Sequence, residues 1–251
     1  MATGWRPATM CAVQYSGYGG GSAALKYVQV PIPSLKKDEV LIKVKAASIN
    51  QGDLWTQKGF FRPFLPKFPF IPGTDVAGEI VEVGSAVREF KPGDNVVSKL
   101  NFRKAGGLAE YVAASEGNTV ACTAGVSAAD AAGLPMAGLT LQGPRLQNHR
   151  RRNTDELWSV LKTALSSRGR LVDIAPNFGN RVASVTTLFA RRKLSLMTLS
   201  FGKEDLRFLV ELMKEGKLRT VVDSRHTFEK AAEAWEKCMS CHATGKIIVD
   251  M

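Results

Sequence analysis

Cysteine, histidine and long apolar runs are all scarce in this chain of 251 residues. Its four cysteines, Cys11, Cys122, Cys238 and Cys241, are too few and too scattered for a disulfide framework and fit a reducing compartment. Three histidines, His149, His226 and His242, leave little material for a hydrolytic triad, and no GxSxG elbow accompanies them. Gly, Pro or charge interrupts each apolar stretch well before the roughly 18 residues a membrane-spanning helix needs. No GxxxxGK[ST] phosphate loop is present, and GYGGGS at 17–22 runs into AALKYVQV, which reads as a strand and not as a phosphate-facing helix. A secretory hydrophobic region is also lacking. About nine residues precede the first strand-like run, so no cleaved transit peptide is expected, and the chain reads as cytoplasmic with an uncleaved route into an organelle left open.

What remains is an ordinary globular composition, with 45% hydrophobic and 23% charged residues. Net charge is +11, and about half of it lies in residues 141–170, where seven basic residues face Asp155 and Glu156. Arg145, Arg150, Arg151 and Arg152 are the densest part. A solvated basic face explains them most simply. Binding of an anion or nucleic acid through Arg145–Arg152 is a minor alternative, and peripheral contact with an anionic membrane is another.

From residue 10 to about 120 the text is strand-rich: MCAVQY, KYVQVPIP, EVLIKVKAASI, GEIVEVG, DNVVSKL and AEYVAAS are separated by Gly, Pro and charged turn signals. That spacing predicts a small barrel or sandwich. Residues 127–141 read as a helix capped by Ser127 and interrupted at Pro135, and 154–167 as a helix capped by Thr154. RLVDIAP at 170–176 reads as a buried strand, 204–217 as an amphipathic helix closed by Gly216, and 218–226 as a strand. A helix over 227–241 and a terminal strand over 244–250 complete the pattern.

Cys238-Met-Ser-Cys241-His242 has the spacing of a covalent haem attachment site. It falls at the end of a predicted helix in a chain without an export signal, so no haem is expected. Zinc at the same place would need two more ligands, and the remaining Cys and His residues are unpaired.

Four segments carry more information together than any one alone: ASINQGDLWTQKG (47–59), FPFIPGTDVAGEIVEVGSAVREFKPGDNVV (68–97), GGLAEYV (106–112) and AAGLPMAGLT (131–140). In this order they resemble the zinc-free quinone oxidoreductase branch of the medium-chain dehydrogenase/reductase superfamily, and within it the plant chloroplast members. The likeness covers nearly all of residues 10–140 and, after a gap, about 200–251, ending in HATGKIIV. It implies a β-rich GroES-like barrel domain with helices (10–135), a truncated α/β Rossmann-type remnant (136–200) and a C-terminal segment (201–251) that returns to the barrel domain. It further implies NADPH as cofactor and a quinone or α,β-unsaturated carbonyl (enone) as substrate, with a homodimer as one assembly. Asn50 falls where the family's cofactor- and substrate-contacting Asn lies, and Thr140 where the first crossover helix meets the nicotinamide. Asp53 and Trp55 take the neighbouring polar and aromatic substrate positions. No catalytic acid or base is assigned. Zinc-dependent relatives carry a metal-binding His and Glu where this chain has Gly73-Thr74-Asp75, and a Cys near Ser48, so no metal is expected.

After Thr140 the chain leaves the family pattern. The Gly-rich turn similar to AASGGVG, whose backbone N–H groups cradle a pyrophosphate, has no counterpart between Leu141 and Trp158. About 75 residues of the family length are missing there. The resemblance therefore implies an enzyme with impaired cofactor binding, and a non-catalytic truncated isoform or interaction module is the alternative.

Overall fold

Alanine and valine are the commonest apolar residues of the N-terminal half, in short runs broken by Gly, Pro and charge, and those runs fold as strands. The computed structural model of the chain describes residues 7–60, 62, 66–122, 125–142, 170–173, 183–187, 189–191, 193–196 and 202–251. The basic cluster Arg145–Arg152 and the helix expected over 154–167 lie outside the described residues. Two compact units are present, Met1–Leu139 with Phe201–Met251, and Thr140–Ser200.

Strands β1 (Thr9–Gln14) and β2 (Lys26–Pro31) form an antiparallel ribbon, stitched to the rest by a reciprocal backbone pair between Tyr15 and Phe70. The main sheet is built on β3 (Glu39–Ile49). One edge of β3 pairs antiparallel with β4 (Asp75–Val83), which in turn pairs with β5 (Asn95–Lys99). The other edge is shared. Its N-terminal half takes β6 (Tyr111–Ser115), its C-terminal half the terminal strand, and the short β7 (Thr119–Ala121) closes the far side on β5. Gly78 of β4 lets the backbones meet, since a Cβ there would lie 2.1 Å from the Lys43 carbonyl oxygen.

In the second unit, β8 (Arg170–Asp173) and β9 (Lys193–Leu196) form a parallel pair, the pattern of an α/β crossover. The C-terminal segment supplies β10 (Val222–Thr227) and β11 (Lys246–Asp250), parallel to each other, with β11 seated between β10 and β3.

Helix α1 (Gln51–Gln57) follows β3 directly. The helix expected over 127–141 is two helices: α2 (Ala128–Ala132), capped by the Ser127 hydroxyl accepting from the Asp130 N–H, and α3 (Pro135–Gln142). Pro135 opens the second helix because its missing N–H costs nothing at a first position. Helix α4 (Lys203–Lys214) buries Leu206, Leu209 and Val210, the i, i+3, i+4 stripe the sequence pattern predicts. Thr227 ends β10, a single 3-10 turn follows, and α5 (Ala231–Met239) starts four residues later than the pattern suggests. One core cluster runs from Val13, Val40 and Ile80 to Ala234, Trp235 and Val249. A second joins α2 and α4 to the opposite face of the sheet through Ala46, Ala77 and Ile248.

Candidate functional site

Strand β3 emerges from the sheet at Ser48 and Ile49, and Asn50 turns the chain into α1. Asn and Asp favour that turn because their side chains satisfy the free N–H groups of a helix start. The Asp53 carboxylate accepts from the Asn50 N–H at 2.9 Å, and its other oxygen accepts from the Gly73 N–H at 3.2 Å. Gly73 has φ +92°, a left-handed conformation that glycine reaches without strain. Asp53 thus ties the head of α1 to the PGTD segment.

Asp75, the first residue of β4, is completely buried. One of its carboxylate oxygens accepts from Asn50 Nδ2 at 3.1 Å, from the Met136 N–H at 3.0 Å and, at 3.5 Å, from the Ser48 hydroxyl. Met136 stands in the first turn of α3, where an anion also meets the positive end of the helix. Lys246, the first residue of β11, donates from Nζ to Asn50 Oδ1, and its ammonium lies 3.9 Å from the same Asp75 oxygen. Lys99 at the end of β5 donates to the Leu100 carbonyl at 3.2 Å and sits over the Phe102 ring at 4.4 Å. Two carboxylates and two ammonium groups therefore cluster around Asn50.

Burial dominates the electrostatics. It pushes Asp53 up to about 6, helped by the Asp75 charge and opposed by the Asn50 and Gly73 N–H groups and by Lys99. It also pulls both lysines below their ordinary range, against the attraction of Asp75 and Asp53. Tyr15 OH, Thr74 Oγ1 and Asp75 Oδ1 are among the buried polar atoms that have no hydrogen-bond partner in the described residues.

Of the residues singled out from sequence, Asn50 and Asp53 come together in this cluster. Trp55, on the next turn of α1, is half-buried with its ring 6.0 Å from that of Phe60. Thr140 falls on α3, and its side chain lies outside the described residues. Reading the sequence missed Asp75, Lys246 and Lys99. The signal was there: each is a lone charge at the end of an apolar strand (GTDVAG, VVSKL, TGKIIV), a place where a charge must be paired to be buried.

Ser48, Thr74 and Asp75 offer oxygen only, and Lys246 already occupies the cation position beside Asp75. Such a donor set does not fit zinc, and among the described residues no group of three His, Cys, Asp or Glu could hold a metal ion. At the CMSCH motif the two thiols differ. Cys238, in the last turn of α5, is buried and its thiol is pushed up to about 12, chiefly by burial. Cys241 and His242 are exposed. Gln51 at the start of α1 donates to the Cys238 carbonyl at 3.0 Å, and its amide nitrogen lies 3.8 Å and 3.6 Å from the sulfurs of Cys238 and Cys241. A covalent haem would need Cys238 exposed.

Two family models match the chain: an alcohol dehydrogenase GroES-like domain over residues 36–125 and a zinc-binding dehydrogenase over 149–249. A chloroplastic quinone oxidoreductase of Triphysaria versicolor is 40% identical, covering 96% of this chain and 98% of that protein. The chloroplast envelope quinone oxidoreductase homologue of Arabidopsis thaliana is 36% identical, with the same coverage. The match to the Triphysaria protein runs over 323 positions against 251 residues here, so at least 72 of its positions have no residue in this chain. Among solved structures, the quinone oxidoreductase of Coxiella burnetii superposes with a TM-score of 0.83 at 24% identity, covering 97% of this chain and 99% of that one. The Escherichia coli quinone oxidoreductase complexed with NADPH superposes with a TM-score of 0.78 at 17% identity, covering 96% and 100%. At such identities these two likenesses speak for the fold alone.

Proposed function

This chain belongs to the quinone oxidoreductase branch of the medium-chain dehydrogenase/reductase superfamily, and from that premise we propose that its chemistry is hydride transfer to a quinone or an enone, with NADPH as donor. One observation carries the reading. The Asn50 carboxamide is held at both ends, its oxygen by Lys246 and its nitrogen by Asp75, so it is fixed before any ligand arrives.

Bound NADPH supplies the hydride, and the protein's part is to orient, to exclude water and to hold charge. Asn50 and Thr140 are the residues proposed to meet the nicotinamide end. Half-buried Trp55 is proposed to stack on a flat substrate ring. Asp53 takes a different part from the one the resemblance implies: both its oxygens are used in capping α1 and anchoring Gly73. The polar environment fits a nicotinamide. The pyrophosphate end fits poorly, because the Gly-rich turn is absent from the sequence and at least 72 positions of the Triphysaria match have no residue here. We therefore propose weakened cofactor binding. The three domain segments 10–135, 136–200 and 201–251, a plastid location like that of the relatives, a homodimer and contact of the basic segment with an anionic membrane complete the proposal.

Titration of the purified chain with NADPH, following nicotinamide fluorescence and quinone-dependent NADPH oxidation, tests this reading. Turnover without saturation in the micromolar range is expected. Micromolar saturation would overturn the impairment while leaving the chemistry intact. A folded chain with neither binding nor turnover would favour a non-catalytic module.

A further inference from the structure

We propose that Cys238 and Cys241 form a redox pair, joined by an intramolecular disulfide when the chain meets a hydroperoxide. The helix end brings them together. Cys241 donates its N–H to the Cys238 carbonyl at 3.2 Å, which closes a one-turn loop between them. Such an i to i+3 turn holds its end Cα atoms within about 7 Å, and disulfides span roughly 4.4–6.8 Å. Both sulfurs lie beside one atom, Gln51 Nε2, at 3.8 and 3.6 Å, so the side chains point to the same place. Cys241 has φ +58°, unusual for a residue with a Cβ, and this conformation directs the chain back over the helix end.

Exposure sets the order of events. Only Cys241 is exposed, whereas Cys238 is 5% exposed. The Cys241 thiolate attacks one oxygen of the hydroperoxide, the O–O bond breaks, and an alcohol (water, from hydrogen peroxide) leaves with a proton, giving a sulfenic acid. The Cys238 sulfur then attacks the Cys241 sulfur. The S–S bond forms, the S–O bond breaks, and water departs with the Cys238 proton. In sum two thiols lose two electrons and two protons to the peroxide. Burial makes Cys238 a reluctant nucleophile, which its closeness to a sulfenic acid one turn away offsets.

The reduced full-length chain is treated with hydrogen peroxide, quenched, unfolded in an alkylating agent and digested. The peptide carrying both residues should be two hydrogens lighter and unlabelled, dithiothreitol should restore both labels, and Cys11 and Cys122 should stay labelled. In Cys238→Ser, Cys241 should proceed to sulfinic acid, which dithiothreitol does not reverse. Exposed Cys241→Ser, which leaves the core untouched, should slow loss of the Cys238 label at least about tenfold. Cys241 reaching sulfinic acid in the unsubstituted chain while Cys238 still takes label would overturn the proposal. A disulfide joining two chains would overturn it as well.

Discussion

Tyr15 shows how much a single atom can matter. Its ring packs against Phe70 and Trp235 with centroids 5.6 and 6.4 Å away, yet its buried hydroxyl has no hydrogen-bond partner among the described residues. A buried polar group in that state costs about 1–3 kcal/mol. Tyr15→Phe keeps the ring and removes the cost, so the thermal unfolding midpoint should rise by roughly 2–4 °C for about 1 kcal/mol regained. A lower midpoint would mean that the hydroxyl is engaged.

Asp53 gives the residue scale its pH dependence. Its carboxyl titrates at about 6 when folded, against an ordinary value of 3.8, so the folded state holds the proton more tightly than the unfolded one. The corresponding stability is fully present below about pH 4 and is lost as pH rises through 6. Asp53→Asn does not titrate. The difference in unfolding free energy, Asp53 chain minus variant, should therefore fall between pH 4 and 6 and stay level above, as urea denaturation at a series of pH values would read. A difference that rises over the same interval would contradict the desolvation argument.

At the scale of elements, α5 is tied to α1 by a buried polar contact inside an apolar interface, in addition to the Gln51–Cys238 hydrogen bond. Trp235, fully buried, donates from its indole to Gln57 Oε1 at 3.2 Å, and Gln57 donates in turn to the Gly21 carbonyl at 2.8 Å. Trp235→Phe fills most of the volume but leaves the Gln57 oxygen buried and unpaired. A loss of about 1–3 kcal/mol in chemical denaturation is expected, whereas Trp235→Ala, which adds a cavity, should lose about 3–5 kcal/mol. A Trp235→Phe chain as stable as the unsubstituted one would show that the indole N–H contributes nothing.

Elements were also what the sequence revealed best. The run EVLIKVKAASI and the stripe Leu206, Leu209, Val210 follow from local periodicity and reappear as β3 and α4. Helix starts were less legible, because Pro135 and Thr227 each permit two readings that only neighbours decide. Asn50 and Asp53 stood out through family motifs. Their true partners did not, since Lys246 reaches Asn50 across a sequence separation of 196 and pairs with Asp75 only through the order of strands. Such contacts have no local signature.

For the whole molecule, the division into two units predicts independence of the first. Gly138 near the end of α3 lies against Leu209, so the helix from which the chain leaves the first unit packs on the first helix after its return. Replacing residues 143–200 with a short Gly/Ser linker should preserve the far-ultraviolet strand signal and a cooperative thermal transition. It should also abolish whatever NADPH binding remains. A chain that loses its transition would show that the first unit depends on the second.

The seating of β11 against β3 carries a consequence for how such a chain tolerates change in length. Ile247 pairs with Ile49 across roughly 200 intervening residues, so forming that edge closes a very long polymer loop. The entropy of such a closure grows only with the logarithm of the loop. Shortening it from about 270 to about 200 residues alters the cost by only about 0.3 kcal/mol. Conformational entropy is thus nearly blind to the segment between the two strands. A lineage can shed or gain most of a nucleotide-binding half there while the sheet beside it closes almost as before.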